Sequence, residues 1–225
     1  MKTPRLYTFA ISHYSEKARW MLDALAMPYE EVVWTPVLHI GPALLKSRKA
    51  TTVPILEVGD EVVQDSTAIL EWLEANHAQF TLLPSDPETR REALGLEALF
   101  DRVGAHVIRY GYATIFESPK ELVDLWTVRS SSATKSLFHT LVPAARPLLR
   151  KQFRMEPASV AKSARKIEEA LDVIEARLAL GRRTLVGDRL TAADITAAAL
   201  LAPLACPDEH PVYSRADYRA AVAPA

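Results

Sequence analysis

Three short stretches of this sequence hold residue types whose spacing could do chemistry. In "SHYSEKARW", Ser12 and Ser15 stand where the two members of a C-x-x-C pair would stand at a strand-to-helix turn, with hydroxyls in place of thiols. Dithiol redox chemistry is thereby excluded. What remains is a hydroxyl at a helix N-terminus, where backbone donors point outward and an anion is favoured. Such a hydroxyl can donate to a ligand thiolate. Lowering a thiol pKa of about 8.5 by one or two units takes roughly 1.4 to 2.8 kcal/mol, and one charge-assisted hydrogen bond contributes on the order of 1.5 to 3 kcal/mol. Helix capping explains either serine without a ligand, and it is the preferred reading for Ser15. A serine hydrolase needs a base that meets the hydroxyl in space, and His13, a neighbour in sequence, is expected to point elsewhere.

The second stretch is "VPIL". Pro54 has no amide hydrogen for a sheet, so its place at the mouth of a strand suits an edge or a special turn. A cis Val53-Pro54 bond would turn the Val53 amide and carbonyl toward an extended ligand, a small-scale form of strand addition. A trans proline that merely starts a strand has similar weight. The third stretch is "QDS" at a strand-to-helix junction. Asp65 and Ser66 are both good N-cap residues, and they also suit the two groups of a free amino-acid terminus. Ser66 and the helix start would meet its carboxylate, and Asp65 its ammonium.

These stretches need elements to hold them. Residues 5 to 77 alternate strand-like runs ("RLYTF", "YEEVVW", "PILEV", "EVVQ") with helical ones, in the order β-α-β-α-β-β-α. The first strand pairs are expected to be parallel through helical crossovers, and the last two antiparallel through the Gly59-Asp60 turn. After a polar, proline-containing connection almost nothing reads as strand. Helical patterns cover 88–115, 119–153, 158–180 and 191–201, punctuated by Pro119, Pro143, Pro147, Pro157 and Gly187. "TAAD", Thr191 to Asp194, has the form of a capping box and is read as structural. The chain divides accordingly into an α+β region at 1–78, a linker at 79–90 and an all-helical region at 91–225.

Composition narrows the function. With 27 Lys plus Arg against 28 Asp plus Glu, the net charge of -1 offers no reason to propose nucleic acid or an anionic membrane as partner. One cysteine, Cys206, excludes an intramolecular disulfide and fits a reducing, cytoplasmic compartment. The N-terminus does not read as a secretory signal. None of the six histidines, from His13 to His210 and including His77, stands at metal-ligand spacing. No metal site is expected.

A thiol peptide, a strand-edge contact and an amino-acid end gripped at a helix start together describe glutathione. Through "LYTFAISHYSEKARWML", "VPIL", "DSTAILEWL" and "LVGDRLTAADITAAALLAPL", in that order and spacing, the whole chain resembles the cytosolic glutathione S-transferase superfamily of serine type. The resemblance implies a thioredoxin-like N-terminal domain that binds glutathione and an all-α C-terminal domain that holds the second substrate. It implies glutathione as co-substrate, a small hydrophobic electrophile as partner, a homodimer and a detoxifying role. Ser12, seven residues before Arg19, would stabilise the thiolate, with Tyr7 as the substitute. Val53 beside Pro54 would contact the cysteinyl backbone, and Asp65 and Ser66 the γ-glutamyl end. His39, Lys46 and Lys49 are the cations available for the glycyl carboxylate. Phe9, His106, Tyr110, Tyr112 and Trp126 are candidates to line the electrophile site. Two alternatives stay open: a non-catalytic binding or regulatory protein of the same fold, and a glutathione-dependent isomerase, dehalogenase or peroxidase.

Overall fold

A computed structural model describes residues 3–47, 50–76, 81–179 and 181–222. Its first region holds strands β1 (Arg5–Thr8), β2 (Glu30–Val33), β3 (Ile55–Val58) and β4 (Glu61–Gln64), interleaved with helices α1 (His13–Ala24), α2 (Ile40–Ser47) and α3 (Ser66–Asn76). The strands form one sheet in the order β2-β1-β3-β4. β1 and β2 are parallel, with Arg5 opposite Glu30. β3 runs antiparallel to β1 and β4 antiparallel to β3.

One expectation is corrected here. The second helical connection does not yield a parallel strand pair, because β3 crosses to the far side of β1 and runs the other way. The eight residues of α2 span only about 12 Å, and the connection begins and ends at the same end of the sheet. The consequence is functional. Tyr7, near the end of β1, pairs with Ile55, the first residue of β3, and Ile55 pairs with Gln64, the last of β4. The starts of α1 and α3 and the segment before β3 therefore gather at one end.

Leu6 and Leu56 face α1 and α3, where Ala18, Met21, Leu22, Ile69, Leu70 and Leu73 complete a buried cluster. Tyr7 and Ile55 point to the opposite face and pack against Ala43 of α2, as the two-residue period of a strand requires.

The second region consists of helices. They are α4 (Pro87–Ile115), α5 (Pro119–Trp126), α6 (Ser132–Gln152), α7 (Pro157–Leu178), α8 (Ala192–Ala205) and α9 (Ala216–Val222). The run expected over 119–153 is two helices. Thr127 closes α5 by bonding its hydroxyl to the Val123 carbonyl, and Ser131 caps α6 by accepting from the Thr134 amide. α6 continues through Pro143 and Pro147. α4 starts at Pro87, capped by Asp86, so the last residues of the expected linker are helical. Residues 79 and 80 of that linker, residue 180 at the end of an expected helix, His77 and Lys49 lie outside the described residues. Asp194 accepts from the amide and hydroxyl of Thr191 and from the Leu185 amide, which fixes the start of α8. α8 lies between α1 and α4, and one buried cluster runs from Leu6 through Phe100 and Val103 to Ile195 and Leu201.

Candidate functional site

Ser12 is the N-cap of α1. Its Oγ accepts a hydrogen bond from the Ser15 amide at 3.1 Å, so the lone pair serves the helix and the hydroxyl proton remains free to donate. Capping and donation are thus compatible in one residue. Ser15 is not the cap: it is buried, and its Oγ accepts from the Phe9 amide at 3.4 Å, which tightens the turn. His13 points away, across to α4. Its Nε2 lies 3.0 Å from the Gly104 carbonyl and therefore carries the proton, and burial pushes its pKa down to about 4. The turn is braced from the end of the chain, because Tyr213 donates to the Ile11 carbonyl at 2.9 Å.

Ser12 opens onto a cavity of about 560 Å³ between the β1–α1 turn, the segment before β3, and helices α4 and α6. Phe9, His39 and Val53 share its wall. The Val53–Pro54 peptide is cis. Among the described residues nothing pairs with the Val53 amide or carbonyl, whereas the neighbouring chain is tied down. Gln64 Nε2 donates to the Thr52 carbonyl at 2.8 Å, and the Asp65 amide to that of Pro54 at 3.1 Å.

Asp65 and Ser66 begin α3 at the same end of the sheet, outside the cavity wall. Asp65 is exposed and has a φ of 94°, a conformation that side chains rarely adopt. Its Oδ1 accepts from the Thr67 amide at 2.8 Å, which leaves Oδ2 unused. Among the described residues Ser66 Oγ is buried without a partner, and the cost of such a group is about 1 to 3 kcal/mol.

The expected cations fare differently. His39 Nε2 donates to the Thr51 carbonyl at 2.6 Å, and burial lowers its pKa, so it acts as a neutral strut. Its ring meets Phe9 edge-on at 4.5 Å. Lys46 is already paired with Glu57 at 2.6 Å. Tyr7 donates to that same carboxylate on the far face of the sheet, away from the cavity.

Two expected wall residues are not brought to the cavity. On α4 the lining is Ala105, Ile108, Arg109 and Tyr112, a single stripe at helical spacing. His106 and Tyr110 are rotated off that stripe by about 100° per residue. His106 meets Ser163 of α7 at 3.0 Å, and Tyr110 packs against the main core. Tyr112 and Trp126 do line the cavity, with the indole donating to the phenol at 3.1 Å. Burial raises the Tyr112 pKa to about 12. Arg109, Phe153 and Arg154 were missed. For Arg109 the signal was the i, i+3, i+4, i+7 stripe on α4, whose phase only the turn above it decides; Phe153 and Arg154 follow the end of α6 and carry no such pattern.

Residues 6–81 match the N-terminal domain of the glutathione S-transferases, and residues 137–223 match their C-terminal domain. The chain belongs to the glutathione S-transferase superfamily. It is 33% identical over 97 residues, 42% of this chain and 46% of that protein, to a maleylpyruvate isomerase of a Ralstonia species. It is 33% identical over 100 residues, 42% of the chain and 47% of the relative, to a maleylacetoacetate isomerase of Pseudomonas aeruginosa. The matched stretch thus spans about half the length of these curated relatives. In structure the chain is similar over its full length to a glutathione S-transferase of Methylobacterium radiotolerans, solved with glutathione sulfonate. That likeness has a TM-score of 0.64, 23% identity and 96% coverage of the other chain. Among the described residues no helix is long and apolar enough to cross a membrane, and no group of three His, Cys, Asp or Glu could hold a metal.

Proposed function

We propose that the protein is a glutathione-dependent enzyme in which Ser12 stabilises the glutathione thiolate for attack on a small electrophile held in the cavity. The observation that carries this reading is the Ser12 hydroxyl, whose lone pair caps α1 while its proton stays available at the cavity wall. Two further features support it. Val53 presents an unpaired amide and carbonyl as an extended peptide requires, and α3 begins with an exposed carboxylate and an unpartnered buried hydroxyl. Asp65 meets the γ-glutamyl ammonium directly, and Ser66 meets the carboxylate after turning about χ1. His39 and Lys46 already have protein partners in Thr51 and Glu57, so this reading assigns neither to the glycyl carboxylate.

The acceleration comes from a larger thiolate fraction and from holding two reactants in contact. The Ser12→Ala variant is expected to lower turnover at saturating glutathione by on the order of tenfold or more, with little change in glutathione affinity. Steady-state kinetics with an aryl halide measure both quantities, and equal turnover in the two proteins removes Ser12 from this role.

A second reading keeps the thiolate and changes the outcome. Two of the curated relatives are the isomerases described above, which favours addition of the sulfur to an unsaturated substrate followed by its expulsion. Glutathione is then regenerated, not consumed. Following glutathione and product together by chromatography separates the two outcomes.

A further inference from the structure

The cavity wall is not electrically neutral. It contains Arg109 and Arg154 and no aspartate or glutamate. Among the described residues, every arginine–carboxylate pair involves other arginines. The two cations also differ. Arg154 is exposed at the rim, whereas Arg109 is half-buried and held in place.

Two of the three guanidinium nitrogens of Arg109 are anchored. Its Nε donates to the Phe153 carbonyl at 3.2 Å and its Nη1 to Ser163 Oγ at 2.9 Å. Ser163 is buried and donates its own proton to the Ser159 carbonyl, so its oxygen is left to accept. His106 Nδ1 lies 3.3 Å from the same Nη1. Burial first, and then Arg109, Lys162 and Lys166, push the His106 pKa down, so the neutral ring sits behind the guanidinium. Glu169, the opposing charge on that side, is paired with Lys166 at 2.5 Å. Nη2 of Arg109 has no partner among the described residues. A half-desolvated guanidinium with a free donor, facing an apolar space with no counter-charge, is suited to a carboxylate.

The geometry points to Arg109 as the residue that selects the acceptor: it receives a carboxylate of the electrophile, whose apolar part lies against Phe9, Ile108, Tyr112 and Trp126. The preferred substrates are therefore small unsaturated or aromatic electrophiles that carry a carboxylate, not neutral ones. Ser163 and His106 are positioning residues that act through Arg109. This inference rests on the reading of Ser12 as the thiolate site.

The test compares 4-chloro-3,5-dinitrobenzoate with its methyl ester. In both, the thiolate sulfur bonds to the chlorine-bearing carbon, chloride leaves with the carbon–chlorine electron pair, and the thiol proton passes to solvent. The Arg109→Gln variant is expected to lose about tenfold or more in kcat/KM for the acid, chiefly through KM. For the ester the change is expected to stay within about threefold, and the KM for glutathione is unchanged. Equal losses for acid and ester, or a loss confined to glutathione affinity, overturn the assignment; the second result would place the glycyl carboxylate on Arg109. Should Arg109→Gln not fold, Arg109→Met keeps the packing of the stem and carries the same comparison. If the wild-type protein turns over neither halide, the Ser12 reading fails on its own. Calorimetric binding of 3,5-dinitrobenzoate to wild type and variant still decides. Binding about tenfold weaker in the variant supports the role of Arg109, and equal binding overturns it.

Discussion

At Ser12 one side chain takes part in two structures, a helix cap through its lone pair and the wall of the cavity. Removing the hydroxyl should therefore have two separable costs. The cap contributes about 1 kcal/mol to stability, and under the function proposed above the donor depresses the thiol pKa of bound glutathione. Titrating thiolate absorbance in the ultraviolet is expected to show that pKa rising by one or two units, toward about 8.5, in Ser12→Ala. Ser12→Thr, which keeps the donor, should stay near wild type. An unshifted titration in Ser12→Ala would assign the thiolate to another group. The neighbouring His13 gives a pH prediction with a definite sign. Its pKa is lowered by burial from the ordinary 6.5 to about 4, so between those values the unfolded chain binds the extra proton. Its contribution to stability is complete above about pH 6.5 and is lost progressively as pH falls toward 4, by up to about 3 kcal/mol. Urea unfolding at pH 7 and pH 5 should show a smaller loss in His13→Gln, whose amide can still donate to Gly104. A slope identical to wild type would mean that other groups dominate acid sensitivity.

Between elements the decisive contact is the close approach of α1 to α4. A Cβ at Gly104 would lie 2.8 Å from the Tyr14 hydroxyl oxygen and 3.1 Å from His13 Nε2, while Tyr14 also donates to the Asp101 carbonyl. Gly104→Ala therefore requires the Tyr14 and His13 rings, or the helices themselves, to shift. A stability loss of about 1 to 3 kcal/mol is expected by chemical denaturation, with a fall in turnover because Ser12 heads the displaced helix. A neutral effect on both would show that the Tyr14 ring moves aside without cost. The same contact explains what was legible in the sequence. Ser12, Val53, Asp65 and Ser66 could be singled out because capping residues and X-Pro bonds announce themselves within a few neighbours. The strand order beyond β2 could not, since the direction of β3 depends on how far α2 carries the chain. Nor could the cavity face of α4. Val103 and Val107 look toward the core, Ile108 and Tyr112 toward the cavity, and His106 toward α7. An amphipathic helix with two apolar faces has no intrinsic phase, so Tyr112 was anticipated and Arg109 was not.

Across the whole molecule, the two regions are joined by a buried ionic cluster that local sequence patterns do not reveal, because Lys17 lies 80 or more residues from its two carboxylate partners. Lys17 of α1 is fully buried and pairs with Glu97 at 2.5 Å and Asp101 at 2.8 Å, both on α4. It also donates to Thr67 of α3, whose hydroxyl reaches Glu97 at 2.9 Å. One ammonium thus gathers the helix that presents Ser12, the helix begun by Asp65 and Ser66, and the helix that carries Arg109. Burial makes the cluster asymmetric in its response. Removing Lys17 alone leaves a buried carboxylate without its counter-charge and is expected to cost about 3 to 5 kcal/mol, whereas removing the charge on both sides can be close to neutral. Lys17→Met should therefore be strongly destabilising, and adding Glu97→Leu should restore a large part of the loss, although Asp101 remains. Raising the salt concentration should change the wild-type value little, since buried pairs are weakly screened. A double variant no more stable than Lys17→Met would show that the apolar replacements cannot fill the space of the pair. A loss under about 1 kcal/mol in Lys17→Met would mean that water reaches the cluster and that the regions are held together by the shared apolar core alone.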